Sequence, residues 1–424
     1  MTDSSLVSYA WQPLTSIGVF VFFALSLAVP SGYSYGSVAL LLVALAYLST
    51  RPAIRLSLED KVLAYVLLTV FLIALAIFLI HRNEPKTLDQ SSRYLLFIPI
   101  LILLLKVPPS ARSLWSGLMI GAFSALGLAL WQHYAQDNPR PDGFMTSAIP
   151  FGNLSLMAGL LCLAGFGCAN MQSRYVWVWK IALCMGFLSG LYVSLLSGSR
   201  GGWLALPVAF AIFLAAFLRR DRLKAIALGT LLLLTAVAIA GISLRDEIAV
   251  RYDAAVTEVD DYASNGNAAT SVGLRLEAWR TAIRNIAERP LLGWSYREYD
   301  ARLNQLAAEK EADISVTTLA NTHNNFLEVW LHQGLLGLLA FLALFIAPFR
   351  FFCKRLRSDD HAVQAFALGG ACLLACFFVF SLTQVILGRN NGVIFFGLSL
   401  VIFWACMRDA EQRAAERGQK SVDR

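Results

Sequence analysis

Charge is scarce along most of this chain: 15% of its 424 residues are charged and 57% are hydrophobic, with a mean hydropathy of +0.60. That balance excludes a soluble enzyme. Cysteine is sparse and badly placed for cross-linking. Of the seven, Cys162, Cys168, Cys184, Cys372, Cys376 and Cys406 lie in apolar runs and Cys353 lies in a short basic connection. No disulfide framework is implied, and none of them has metal-ligand spacing. The usual divalent-metal signatures are missing too. The segments assigned below to the outer face hold no HExxH, no Walker loop and no paired-Asp motif, so a reaction there would have to be metal-independent. Lys and Arg are absent ahead of Leu14, and no small-residue cleavage site follows the first apolar run. That run is therefore expected to stay as a span rather than leave as a signal peptide.

What is abundant is long apolar sequence. Crossing the hydrocarbon core takes roughly 20 mainly apolar residues, and about twelve segments meet that criterion. They centre near 14–30, 37–50, 61–80, 93–107, 114–131, 152–169, 175–197, 201–218, 223–243, 329–348, 363–386 and 391–407. Backbone amides in lipid have to be satisfied within their own segment, so the spans are helices and the expected fold is all-α and polytopic. The expected organisation is nine spans over 1–243, a helical loop domain over 244–328, three spans over 329–407 and a charged tail over 408–424. Basic residues set the orientation. With the N-terminus inside, the inner segments take most of the 35 Lys and Arg, among them Arg51, Arg55 and Lys61, the run Arg219, Arg220, Arg222 and Lys224, and the group Arg350, Lys354, Arg355 and Arg357. The short outer loops take Arg82, Lys86, Arg93, Arg140, Arg200 and Arg389. Both termini are thus expected inside and the long loop outside. The net charge of +7 is mostly this orientation signal. Membrane lipids are the expected surroundings, and no nucleic-acid partner is expected.

The long polar segment from Ser243 to Glu328 reads as a small helical cap. Arg245 to Asp261 has helical character, Ala263 to Asn267 is a flexible break, and a second helix runs from about Val272 to Arg289 and stops at Pro290. Leu291-Leu292-Gly293-Trp294 is an apolar turn suited to the membrane interface, where Trp is favoured. Arg297 to Ala312 is a third, amphipathic helix. At about 100° per residue, Arg275, Trp279, Ile283, Ile286 and Arg289 share one face of the second helix, and Glu277, Arg280, Arg284 and Glu288 the opposite one. The second group is most simply a solvated, salt-bridged face. Arg275 is expected to point inward, where an arginine needs a carboxylate partner or a ligand phosphate. Arg289, just before Pro290, suits the helix C-terminus.

Three further groups bear chemistry. Ser197-Gly198-Ser199-Arg200-Gly201-Gly202 joins two spans on the outer side; glycines permit close backbone approach to a ligand, helix-start amides attract anions, and Arg200 adds a bidentate phosphate partner. The plainer reading is a tight turn with a snorkelling Arg. His323, in Asn321-Thr322-His323-Asn324-Asn325, stands just before a membrane helix that Thr322 or Asn321 can cap. A helix N-terminus disfavours imidazolium, so the ring would stay neutral and able to act as a general base; an interfacial histidine satisfied by hydrogen bonds is the alternative. His332, further along, reads as a packed residue with Glu328 one turn above. Asp89 and Arg93 at the start of the fourth span, and Arg389 between the last two, are weaker candidates for a lipid phosphate.

With these residues in hand, the chain resembles the O-antigen ligase and polymerase superfamily of bacterial envelope membrane proteins. The likeness lies in Leu196 to Gly201, in Arg275-Leu276-Glu277-Ala278-Trp279 running to Arg289-Pro290-Leu291-Leu292-Gly293, and in His323-Asn324-Asn325-Phe326-Leu327 continuing to Gly334-Leu335-Leu336-Gly337. Asp89 to Tyr94 also looks like the ligase branch. The resemblance implies glycan transfer on the periplasmic side of the inner membrane, from undecaprenyl diphosphate to a sugar hydroxyl of the lipid A-core oligosaccharide, with no cofactor. It implies catalytic roles for Arg200, Arg275 and His323, with Arg93, Asp89, Arg389, Arg280, Arg289 and Asn324 as weaker diphosphate or lipid contacts. An O-antigen polymerase is the near rival, although no outer Arg here has Gly eleven residues on; a protein O-oligosaccharyltransferase is another. A transporter is the alternative of a different class, and it would need ionisable or broken-helix sites near the midplane.

Overall fold

The computed structural model describes residues 3–145, 147–172, 175–217, 253, 256–264 and 268–422. Among them there is no strand: the protein is an all-helical, polytopic membrane protein. The helices are α1 (Asp3–Leu25), α2 (Gly32–Ser49), α3 (Leu58–His81), α4 (Asp89–Lys106), α5 (Ala111–Ala135), α6 (Ala148–Ala164), α7 (Val176–Leu196), α8 (Arg200–Trp203), α9 (Ala205–Phe217), α10 (Ser271–Glu288), α11 (Tyr296–Ala308), α12 (Asn325–Cys353), α13 (His361–Thr383) and α14 (Asn390–Val422). Counting Arg200–Phe217 as one span, ten segments of the described residues are long and apolar enough to cross a membrane. Two expected spans fall outside that ten. The span expected over 14–30 belongs to α1, whose helix stops at Leu25 short of Pro30 and Gly32 and leaves Ala10–Leu25 as a shorter apolar stretch. The span expected over 223–243 lies outside the described residues, as does most of the helix expected over 245–261. Ala263 and Ser264, expected in a flexible break, end a helical stretch instead. The charged tail continues α14 as one helix to Val422.

The chain divides into two compact units. The first takes in Met1–Leu75, Pro85–Ala216 and Ala340–Arg424; the second takes in Ala76–Glu84 and Phe217–Leu339. In the first unit α6, α13 and α14 form the interior: 83%, 83% and 89% of their apolar windows are buried, against 22% to 50% for the other candidate spans. Their sequences are apolar all round, as a helix enclosed by other helices must be. Aromatic rings fill the space between them. Trp115 of α5 stacks on Phe366 at 5.7 Å, and Phe377 of α13 packs on Phe395 and Phe396 of α14. The outer helices expose Leu42, Leu45, Tyr65, Leu72, Trp177 and Ile181, which suits lipid.

Small residues bring backbones together where lipid supplies no hydrophobic drive between helices. A side chain at Gly117 or Gly121 of α5 would run into the backbone of α1 at Phe20 and Phe23, and one at Gly190 of α7 would run into the Ser155 carbonyl of α6. On the side assigned above as inner, an ion network ties α3 and α14 together. Arg355 meets Glu59 and Glu411, both at 2.6 Å, and Arg408 meets Glu59 at 3.1 Å, Asp60 at 3.3 Å and Glu411 at 2.7 Å. Trp404 Nε1 donates to Asp60 at 2.9 Å.

Candidate functional site

Arg200 belongs to the first unit. The turn ahead of it is tight because Gly198 sits at φ +65. Ser199 Oγ donates to the Asn153 side-chain carbonyl of α6, and Arg140 Nε donates to the Ser197 carbonyl at 3.3 Å. The glycines that follow are used by the protein itself. A side chain at Gly201 would strike Thr383 of α13, and one at Gly202 would strike Asn153. Leu204 links α8 to α9 with backbone angles that stay helical (φ −62, ψ −20), so Arg200 stands at the start of a span that runs to Phe217. The outcome is a buried, hydrogen-bonded turn that presents an exposed Arg200 guanidinium.

In the same unit, Asp89 holds Arg93 at 2.6 Å and accepts from Asn390 Nδ2 at 3.1 Å. A lipid phosphate at Arg93 would therefore compete with Asp89. Arg389 is partly buried, and that burial lowers its pKa from the ordinary guanidinium value.

Arg275 and His323 belong to the second unit. Helix α10 starts at a Thr270 cap that accepts from Gly273 N. Its buried face carries Ala278, Ala282 and Ile286, the last two packed with Trp294, Tyr299, Leu303, Leu306, Val316 and Leu331. This corrects the face expected from helical phase. Ile283 is 56% exposed, whereas Glu277, expected in water, is 4% exposed. The reason is that Glu277 finds partners inside: Tyr262 OH donates to it at 2.6 Å, Arg280 meets it at 3.4 Å and the Asp313 amide reaches it at 3.4 Å. Burial and the Glu277 carboxylate together raise the Tyr262 pKa. Arg280, Arg284 and Glu288 are exposed as expected, but Glu288 pairs with Arg302 of α11 at 3.0 Å rather than within α10. Arg289 occupies the C-cap position, lays its guanidinium over the Trp294 ring at 3.9 Å and pairs with Glu298 at 3.1 Å. Arg275 is partly buried, between the two faces.

The apolar turn after Pro290 docks on α12, with Trp294 buried and Leu291 and Leu292 exposed. Helix α12 is broken at Gly334 (φ 66, ψ −168). The break frees the Leu331 carbonyl and the Leu335 amide, and the turn supplies both partners: Trp294 N donates to Leu331 O at 2.7 Å, and Leu335 N donates to Pro290 O at 2.9 Å. Gly293 (φ 74) and Gly334 let the two backbones touch, since a side chain at either would strike the other strand of the contact. The motifs Arg289–Gly293 and Gly334–Gly337 are thus one structural device. His81 Nε2 also lies 3.0 Å from the Leu292 carbonyl.

His323 sits two residues before α12 with φ 55, in the left-handed region. Its amide donates to Asn321 Oδ1 at 3.0 Å. The helix cap is Asn324, not Thr322 or Asn321: Asn324 Oδ1 accepts from Phe326 N at 2.9 Å and Leu327 N at 3.2 Å. Thr322 is buried instead. Its amide donates to Glu328 Oε2 at 2.9 Å, and its carbonyl accepts from Trp279 Nε1 at 2.8 Å. His332 is packed as expected, with Nδ1 3.0 Å from the Trp294 carbonyl, Nε2 3.7 Å from Glu328, and its ring stacked on Tyr296 at 3.8 Å. Burial, with the Glu328 charge beside it, raises the pKa of Tyr299. The part played by Trp279 was not legible in sequence; its one signal was the spacing of one turn from Arg275.

Residues 185–342 match the family model described as O-antigen ligase. That match bears out the resemblance to the O-antigen ligase superfamily, whose members are glycosyltransferase-like enzymes. A protein of Haemophilus influenzae, described only as uncharacterized, is 26% identical over 393 residues, covering 91% of this chain and 96% of its own length.

Proposed function

We propose that this protein is an O-antigen ligase of the bacterial inner membrane, moving a glycan from undecaprenyl diphosphate to a sugar hydroxyl of lipid A-core on the periplasmic face. The observation that carries the reading is that a single family match, over 185–342, takes in Arg200, Arg275 and His323 together. In the reaction proposed, His323 takes the proton of the acceptor hydroxyl as its oxygen attacks the anomeric carbon. The bond from that carbon to the diphosphate oxygen breaks, and its electron pair leaves with the diphosphate. Arg200 and Arg275 stabilise the charge that gathers there, a task that a metal ion performs in other transferases. One displacement inverts the anomeric centre.

A transfer assay with purified full-length protein, lipid-linked glycan and either lipid A-core or a second lipid-linked glycan tests the proposal. Transfer to lipid A-core, retained in chelator, is expected. Extension of the lipid-linked glycan instead would make the protein a polymerase, and a strict divalent-ion requirement would remove the arginine scheme. His323→Ala is expected to slow transfer by roughly 10²- to 10⁴-fold, the usual worth of a general base. A rate close to that of the wild type would remove His323 from that role.

A further inference from the structure

The peptide units around His323 are held by side chains outside the proposed catalytic set. The unit joining Thr322 to His323 is pinned at both edges: its carbonyl accepts from Trp279 Nε1 at 2.8 Å, and its N–H donates to Asn321 Oδ1 at 3.0 Å. The unit before it is pinned through the Thr322 amide, which donates to Glu328 Oε2 at 2.9 Å. We propose that Trp279 and Glu328 are positioning residues that fix the direction of the His323 ring, an inference that rests on His323 being the general base.

Three observations support it. First, His323 adopts φ 55, a strained conformation for a non-glycine residue that persists only where its surroundings over-determine it. These bonds are what over-determine it. Second, the Glu328 acceptor is charged and 8% exposed, and a hydrogen bond to an ionised group is roughly twice as strong as a neutral one. His332 lies behind Glu328, donating Nδ1–H to the Trp294 carbonyl, with Nε2 3.7 Å from Glu328 Oε1. Third, Trp279 follows Arg275 by one turn of α10. Its bond to Thr322 therefore ties the helix that carries Arg275 to the segment that carries His323, and sets their spacing.

The plainer role for both residues is to stabilise the start of α12, and the test separates the two. Steady-state transfer to lipid A-core is measured for full-length E328A, E328Q, W279F and H323A, each checked for an unchanged melting temperature in detergent. E328A is expected to lower kcat by roughly 10²-fold, the effect of an ångström-scale misplacement, with the donor KM within about twofold. Glutamine keeps an acceptor for Thr322 N and turns an N–H toward His332 Nε2, so E328Q is expected to recover to within about fivefold of wild type. W279F, which removes the indole N–H donor and keeps an aromatic ring, is expected to lose roughly tenfold in kcat. The acid limb of the kcat profile should persist in E328Q and flatten in E328A, because a displaced base no longer governs the rate. An E328A rate within threefold of wild type, or an E328Q as slow as E328A, overturns the proposal. If H323A is slow while E328A is normal, only the positioning role fails; if H323A is normal, the base reading fails first.

Discussion

A histidine at φ 55 immediately before a helix cap is uncommon for a non-glycine residue, although His is enriched there several-fold. Its position in the chain was readable from the apolar run that follows, but its backbone conformation was not. That depends on Thr322 being held by Trp279 and Glu328 from two different parts of the second unit. Arg200 is a similar case. The glycines beside it looked suited to a ligand, yet they are occupied by Thr383 and Asn153, so the ligand-facing part of this turn reduces to the guanidinium. If Arg200 and Arg275 grip a diphosphate through paired N–H groups, lysine is a poor substitute, because it is a point charge without the planar fork. R200K and R275K are each expected to lose roughly 10- to 100-fold in kcat/KM, with the alanine variants lower still, by roughly 10²- to 10³-fold. Transfer kinetics check this; lysine variants equal to wild type would mean that charge alone suffices.

Among the elements, the broken α12 and the turn 290–294 are the most informative pair. Gly334 lies at φ 66 and ψ −168 against the Leu291 backbone, a region open essentially to glycine alone. G334A is expected to destabilise the second unit by about 2–4 kcal/mol, whereas G127A, whose added side chain meets nothing within 4 Å, should cost under about 1 kcal/mol. Melting curves in detergent compare the two. Sequence reading found both motifs, but nothing local says that one closes the gap in the other. The amphipathic α11 was legible throughout, and its start is a capping box in which Ser295 and Glu298 bond each other's backbone amides. The Ser295 hydroxyl first, and Arg289 with it, lowers the Glu298 pKa. A depressed carboxyl pKa contributes stability that is fully present above its unfolded value, near 4.3, and is lost as pH falls through the folded value. Hydrogen exchange in α11 is therefore expected to accelerate on acidification below about pH 4 in the wild type. In E298Q that dependence should flatten; an equal pH response in both would mean that another group governs it.

For the whole molecule, the first unit shows how an apolar chain acquires specific contacts. Arg355 and Arg408 share Glu59 and Glu411, with side chains 14% to 28% exposed. Removing one partner of such a network leaves a poorly hydrated carboxylate, so R355A and R408A are each expected to cost about 2–4 kcal/mol, and the double variant less than the sum. Additive losses in the melting temperature would mean that the two arginines act separately. The sequence by itself determined the all-helical membrane class, the rough positions of ten spans and the order of the three motifs. Those follow from hydropathy and from the need of every backbone amide in lipid for a partner in its own helix. The tertiary structure alone decided that Glu277 is buried, that Asn324 caps α12, that Gly334 breaks it and that Trp279 holds the peptide of His323. Apart from the Asn324 cap, whose partners are local, each of these rests on a partner far along the chain, and helical periodicity reports only neighbours three and four residues away.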